Sequence, residues 1–252
     1  ALNCVANGKV LREKLFDDVW VQPAAGDAGG AVGAAFAAYH GFCRQPRKLN
    51  GHLNAPRLDG MEGSYLGPEY AQPDIETRLK AAGAKFETLA YGAMIDTTAQ
   101  ALADGKAVGW FQGRMEFGPR ALGGRSILGD ARSPTMQRTL NLKVKYRESF
   151  RPFAPSVLRE AVADWFELDE DSPYMLLVAD VVDHRRRLMN QDEQALFGID
   201  KLNVPRSQIP AVTHVDYSAR IQTVHADTNP RYHRLLTAFH ERTGCPVLVN
   251  TS

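Results

Sequence analysis

The run PRYHRLLTAFHERTGCPVLVN, residues 230 to 250, constrains the fold more than any other stretch. Pro230 suits the first turn of a helix, Gly244 suits its end, and an apolar strand follows at once. The alternation is general from Ala93 onward. A helix through DTTAQALADG leads to an apolar strand, AVGWFQG. After a glycine-rich loop, MEFGPRALGGRSILGD, comes a helix SPTMQRTLNLKVKYR, capped by Ser133 with Pro134 at its first position. YMLLVADVV and ARIQTVH read as further strands. Helices and strands in alternation indicate an α/β fold.

Upstream, FDDVWVQP reads as a short strand from Asp18 to Gln22 closed by Pro23, and GDAGGAVGAAFAAYH as a glycine-rich turn entering an alanine-rich helix. From about Cys43 to Tyr91 loop signals dominate, with one helix that Pro73 and Asp74 would start and Gly83 would stop. The chain therefore divides into residues 1–45, a connector at 46–92 and a second domain at 93–252. At 252 residues and 44% hydrophobic composition there is enough chain for a large core or two modest ones. Cys4, Cys43 and Cys245 are odd in number and widely spaced, which argues against a disulfide framework and fits a reducing cytoplasm. No apolar run reaches the roughly 20 residues of a membrane span, and the start lacks a signal-peptide layout. The chain begins without Met and stops in the apolar run CPVLVNTS, so both ends read as cuts through a longer protein.

A formal net charge of +1 argues against a dedicated nucleic-acid binder. The charge is uneven: residues 106–159 hold eleven Lys/Arg and three Asp/Glu, whereas residues 160–200 hold eleven Asp/Glu and three Lys/Arg. Within the basic block, GRMEFGPRALGGRSILGD sets Arg114, Arg120 and Arg125 around one acid, Glu116, in a glycine-rich loop. Arginine forks in such a loop match phosphate oxygens; the plainer alternative is a solvated surface loop. In NLKVKYRESFRPFAP, Lys145, Arg147 and Arg151 cross a helix end into an extended segment, so they cannot share one solvated helix face. They could converge on a ligand held by residues 113–129. Aromatic residues do not interleave with these cations as a base-stacking surface would.

In AAGDAGGAVGAA, Asp27 could hold a cation or a ribose hydroxyl, or simply cap a packed helix, and the spacing is not the dinucleotide fingerprint GxGxxG. The seven histidines, His40, His52, His184, His214, His225, His233 and His240, form no HExxH and no pair at i, i+4. The triplet Arg185 to Arg187 reads as a solvated turn.

In this order, ALNCVANGK, FDDVWVQPAAGDAGGAVGAA, GWFQGRMEFGPRALGGRSILGD, NLKVKYRESFRPFAPSVL, SPYML, HVDYSARIQTV and CPVLVNTS resemble the NodU-type O-carbamoyltransferases, whose members carbamoylate nodulation factors and antibiotics. The resemblance covers almost the whole chain and is most specific from Trp110 to Pro155. It implies the tail of an actin-like ATPase domain at 1–45, followed by a YrdC-like α/β domain with a twisted mixed sheet. It also implies that carbamoyl phosphate and ATP form carbamoyl-adenylate in the YrdC-like domain, and that the carbamoyl group passes to a hydroxyl of a sugar, antibiotic or lipo-oligosaccharide.

Carried onto this sequence, the resemblance implies Lys145, Arg147 and Arg151 as the catalytic cations on the phosphates. Asn3, Arg114, Glu116, Arg120, Arg125, Arg220, Asn250 and Ser252 would contact substrate or ATP. Asp27 would ligate a divalent metal, iron or magnesium, in the actin-like domain of the intact enzyme, whose metal-binding HxxxH pair would lie upstream of Ala1. Cations fit a reaction that brings two anions together, because they lower the encounter cost and the transition-state charge. Two readings remain beside this one: an RNA- or nucleotide-binding module of the tRNA-modification type, and a regulatory fragment that only binds ATP. An RNA binder would lose affinity steeply with salt, whereas a small-ligand pocket would saturate.

Overall fold

The computed structural model describes residues 1–47 and 60–252; the middle of the expected connector, residues 48–59, and with it His52, lies outside the described residues. A six-stranded mixed sheet organises the chain, built from β1 (Val108–Phe111), β2 (Arg125–Asp130), β3 (Ala154–Leu158), β4 (Leu177–Asp180), β5 (Ser218–Val224) and β6 (Val247–Thr251). Its order is β1-β2-β6-β3-β5-β4, with β3 and β5 parallel and every other pairing antiparallel. The α/β class is thus the observed one.

Two helices pack together beside this sheet, α4 (Tyr91–Ala103) and α8 (Pro230–Thr243). Ile95, Ala99 and Leu102 of α4 and Leu235, Leu236 and Phe239 of α8 are buried in one cluster with Val247 and Val249 of β6. Each of these side chains larger than alanine contributes roughly 1.5–3 kcal/mol when fully withdrawn from water. Asn229 caps α8 by accepting from Tyr232 N at 3.1 Å, Pro230 occupies the first turn, and Gly244 ends the helix at φ +70°. That left-handed turn lets the chain reverse directly into β6.

At the other end of the sheet, α1 (Cys4–Arg12) lies on β4. The approach needs Gly8, since a Cβ there would stand 2.3 Å from the Val178 carbonyl oxygen. Asn7 Nδ2 donates to Leu176 O at 3.0 Å and ties the helix to the sheet. The helix α2 (Asp27–Phe36) continues into a wider turn, Ala37–Phe42, and α3 (Gln72–Ala81) carries Pro73 in its first turn as the sequence implied. No helix among the described residues is long and apolar enough to cross a membrane.

Three local expectations change. Residues 18–22 form no ladder, so the strand expected there is an irregular segment. The tail of the supposed loop, RSILGD, is β2, in the sheet interior between β1 and β6. The helix expected from Ser133 starts later: α5 is only Met136–Leu140 and passes into a wide turn, Asn141–Lys145, closed by Tyr146 in the left-handed region. Short helices α6 (Gln191–Ala195) and α7 (Gly198–Leu202) occupy the polar stretch. Nor is the arginine triplet a bare solvated turn, because Arg186 pairs with Glu167 at 3.0 Å and Arg187 with Glu193 at 2.6 Å.

Candidate anion-binding site

Two chain segments build the site, and each is held by one buried side chain that carries no positive charge. The first is the glycine loop after β1. Glu116, only 7% exposed, accepts from Leu122 N and Gly124 N at 2.7 Å each and from Arg125 N at 3.2 Å. One carboxylate thus satisfies three main-chain donors that the loop would otherwise leave buried without partners. Gly118 sits at φ +122°, where an added Cβ would meet Ala24 Cβ at 2.7 Å, and Gly123 at φ +101° faces the Tyr232 ring. Only glycine fits these positions.

The second segment runs from α5 to β3. Asn141 is fully buried: its Nδ2 donates to Ser149 O at 3.0 Å and Arg151 O at 2.8 Å, and its Oδ1 accepts from Arg147 Nε at 2.6 Å. The turn is therefore pinned from inside, and the Arg147 guanidinium lies over the Phe153 ring at 5.1 Å.

Where the two segments meet β5 and β6, Arg120, Lys145, Arg147, Arg220, Asn250 and Ser252 line one pocket of about 210 Å³. No acidic side chain lines it among the described residues. Electrostatics record the imbalance. Burial, and then the neighbouring Arg147, pulls the Lys145 ammonium below its ordinary value. Burial followed by Arg120 does the same to the Arg220 guanidinium, opposed by Cys4, whose side chain is hydrogen-bonded to it. Cations that depress one another in the absence of acid favour an anion among them. A second cavity of about 320 Å³, lined by Cys4, Lys9 and Arg12 of α1 and by His214 and Asp216, adjoins the first across Phe153, Ala154 and Arg220. There burial lowers the His214 value.

Asn250 adds a different feature. Its Nδ2 donates to Ala121 O at 3.0 Å and Gln222 Oε1 at 2.8 Å, while its Oδ1 is buried and accepts nothing among the described residues. Arg120 Nε is likewise buried without a partner. Two side chains that line the pocket thus each keep one buried polar atom without a partner.

Other expected residues lie elsewhere. Arg151 pairs with Glu148 at 2.9 Å and is not among the pocket residues. Arg114 donates to Gly67 O at 3.2 Å, and Arg125 lies 3.5 Å over the Phe111 ring and donates to the Gln112 and Gly124 carbonyls. Glu116 is inside the loop it organises. Asn3 caps α1 by accepting from Ala6 N at 3.1 Å. Asp27 is exposed in the first turn of α2, and no group of three His, Cys, Asp or Glu side chains able to hold a metal occurs among the described residues. Asp27 is thus one carboxylate, and a metal there would need ligands from outside the described residues. The organising roles of Asn141 and Gln222 carry no sequence signal, because a buried amide and a surface amide look alike in one chain.

Residues 99–252 match the family profile for the carbamoyltransferase C-terminus, and residues 1–36 match the one for the carbamoyltransferase N-terminus. The chain belongs to the carbamoyltransferase family. It is similar over its whole length to the uncharacterized protein sll1178 of Synechocystis sp., at 58% identity, and to nodulation protein NolNO of Sinorhizobium fredii, at 40%. It is 36% identical to 3'-hydroxymethylcephem-O-carbamoyltransferase of Streptomyces clavuligerus. The chain spans 33 to 40% of the length of these three relatives.

Proposed function

We propose that this chain is the carbamoyl-donor part of an ATP-dependent O-carbamoyltransferase. Carbamoyl phosphate would lose phosphate to water, the carbamate formed would displace pyrophosphate from ATP to give carbamoyl-adenylate at the basic pocket, and the carbamoyl group would pass to a hydroxyl of a small-molecule acceptor with release of AMP. The relative from Streptomyces clavuligerus carries such a transfer in its name, which supports an O-linked product. Residues 93–252 would form the YrdC-like unit and residues 1–45 the tail of an actin-like domain, joined through 46–92. A divalent metal would belong to the intact protein, since Asp27 has no co-ligands among the described residues.

One observation carries the reading: a pocket with Arg120, Lys145, Arg147 and Arg220, no acid, and the unpaired Asn250 Oδ1. Phosphate alone would use only the cations. Carbamoyl phosphate presents an anion and an N–H donor on one small molecule, so it can satisfy both the cations and the amide oxygen. ATP needs more room than this pocket gives, and the adjoining cavity beyond Arg220 supplies it. Arg220 would then bridge the two reactants. That arrangement brings the anions together and offsets the charge that develops between them.

Exchange of labelled pyrophosphate into ATP that depends on carbamoyl phosphate tests the reaction. Calorimetric titration with carbamoyl phosphate, acetyl phosphate and inorganic phosphate tests the pocket. Carbamoyl phosphate should bind most tightly; equal binding of all three would remove the support that Asn250 gives. A steep salt dependence with RNA, and no saturable binding of the small phosphates, would favour the tRNA-modification alternative.

A further inference from the structure

Arg220 lines both cavities, and the character of the charged side chains changes from one cavity to the other. Around the first pocket they are all cationic: Arg120, Lys145, Arg147 and Arg220. Beyond Arg220 the second cavity adds two carboxylates, Asp180 and Asp216. The β4–β5 ladder sets the spacing, since Val178 lies opposite Arg220 and Asp180 opposite Ser218. Side chains two residues apart on a strand share a face and stand about 7 Å from each other. The acidic end of the cavity therefore begins one such step from the shared arginine, on the face that α1 covers with Cys4, Val5 and Lys9.

The two carboxylates differ in what they already hold. Asp180 is engaged by Arg12 at 3.5 Å and Arg186 at 3.9 Å. Asp216 pairs with no Lys or Arg among the described residues; its Oδ1 accepts from Ser218 N at 3.1 Å and Ser218 Oγ at 2.7 Å, and its Oδ2 accepts no hydrogen bond among them. Burial alone would raise the Asp216 value, but the Ser218 donors outweigh it and hold the carboxyl below its ordinary range, so it is ionised at neutral pH. His214, beside it, is pulled down by burial and adds no charge there. An ionised carboxylate repels a triphosphate and accepts from hydroxyl donors. Pro152, Phe153 and Val178 supply apolar lining between the charged groups, which suits a flat organic ring.

We propose that this cavity takes the nucleoside half of ATP and that Asp216 is a specificity-determining residue, accepting from a ribose hydroxyl while the phosphates lie on the cations of the first pocket. The assignment rests on the ATP reading above and adds the direction in which the nucleotide lies. The reverse direction would set a triphosphate against Asp216 and leave four cations facing an uncharged nucleoside.

Calorimetry on the wild-type chain and on Asp216→Ala tests this, with ATP, 2′-deoxy-ATP, 3′-deoxy-ATP and inorganic pyrophosphate as probes. The wild-type chain should bind ATP about tenfold or more tighter than at least one deoxy analogue, as a hydrogen bond to a charged group implies. In Asp216→Ala, ATP should weaken to the level of that analogue, whose own affinity stays within about twofold because both changes remove the same contact. Pyrophosphate has no ribose and should bind the variant at least as well as the wild type. Equal loss for all four probes would mean a structural role only and overturn the proposal. Tighter binding of ATP by the variant would place the phosphates at Asp216 and overturn it as well. Asp216→Asn keeps Oδ1 for both Ser218 donors, should narrow the same ratio, and serves if the alanine variant does not fold. A wild-type chain that binds ATP and both analogues alike would remove the ribose assignment and leave the ATP reading standing. Saturable binding of pyrophosphate without any of ATP would take down the ATP reading and this proposal together.

Discussion

Arg151 Nε lies 2.9 Å from Glu148 Oε2, and both side chains are more than half exposed. The pairing occupies a cation that the sequence groups with Lys145 and Arg147. Three neighbouring cations thus divide into two that face the pocket and one that does not.

Substitution should separate them. Lys145→Ala, Arg147→Ala and Arg220→Ala each remove a charge-assisted contact to an anion, of about 1.5–3 kcal/mol, so pyrophosphate affinity is expected to fall about tenfold or more. Arg151→Ala loses an exposed ion pair of about 0–1 kcal/mol and should change affinity less than about fivefold. Calorimetric titration with inorganic pyrophosphate is the measurement. Equal losses at Arg151 and Lys145 would contradict this division.

The depressed Lys145 value sets a pH dependence. Its cause is burial first and then Arg147, so the free protein holds that proton less firmly than an ordinary lysine does. A bound anion favours the charged ammonium and raises the value again. Anion affinity should therefore be flat at lower pH and fall as pH rises through the depressed value, with proton uptake on binding in that window. Unliganded stability moves the opposite way, rising between the depressed value and the ordinary lysine value as the strained charge is lost. Lys145→Met should abolish this alkaline limb in both measurements.

Asn141 is a test of how the turn is held. It makes three side-chain hydrogen bonds, to Ser149 O, Arg151 O and Arg147 Nε, with no exposure to solvent. At about 1 kcal/mol for each bond, Asn141→Ala should cost about 2–4 kcal/mol in urea unfolding. Asn141→Asp keeps the Arg147 contact but loses both donors, so it should be destabilised while retaining more anion affinity than the alanine variant.

The sequence makes α8 legible because every local signal agrees: Asn229 and Pro230 at the start, apolar residues on one face, Gly244 at the end. The strand β6 is legible for the same reason. What it does not reveal is pairing. β2 is hidden because GGRSILGD reads as turn chemistry; β1 lies only one loop upstream, but its other partner, β6, is far downstream, and long-range pairing leaves no local trace. The site divides likewise. Lys145, Arg147, Arg120 and Arg220 announce themselves by charge type and by resemblance, whereas Arg125 and Arg114 carry the same charge and are taken up by main-chain carbonyls. Burial separates these two groups, and burial is set by the whole fold.

Glu116 gives the last expectation, because its carboxylate works within the protein. It accepts from three main-chain N–H groups of the loop that carries Arg120 and Ala121 to the pocket. Glu116→Ala would leave those donors buried and unpaired at about 1–3 kcal/mol each, so a loss of at least about 4 kcal/mol is expected. Glu116→Gln can keep an oxygen towards Leu122 N and Gly124 N, and turns its amide towards Arg125 N, where donor meets donor. The expected loss is about 1–3 kcal/mol, from the missing charge and that one opposed contact. The urea midpoint should fall in this order at constant slope. Carbamoyl phosphate and phosphate affinities should fall together in Glu116→Gln, since the loop as a whole is loosened. A glutamine variant with wild-type stability would show that the loop does not depend on this carboxylate.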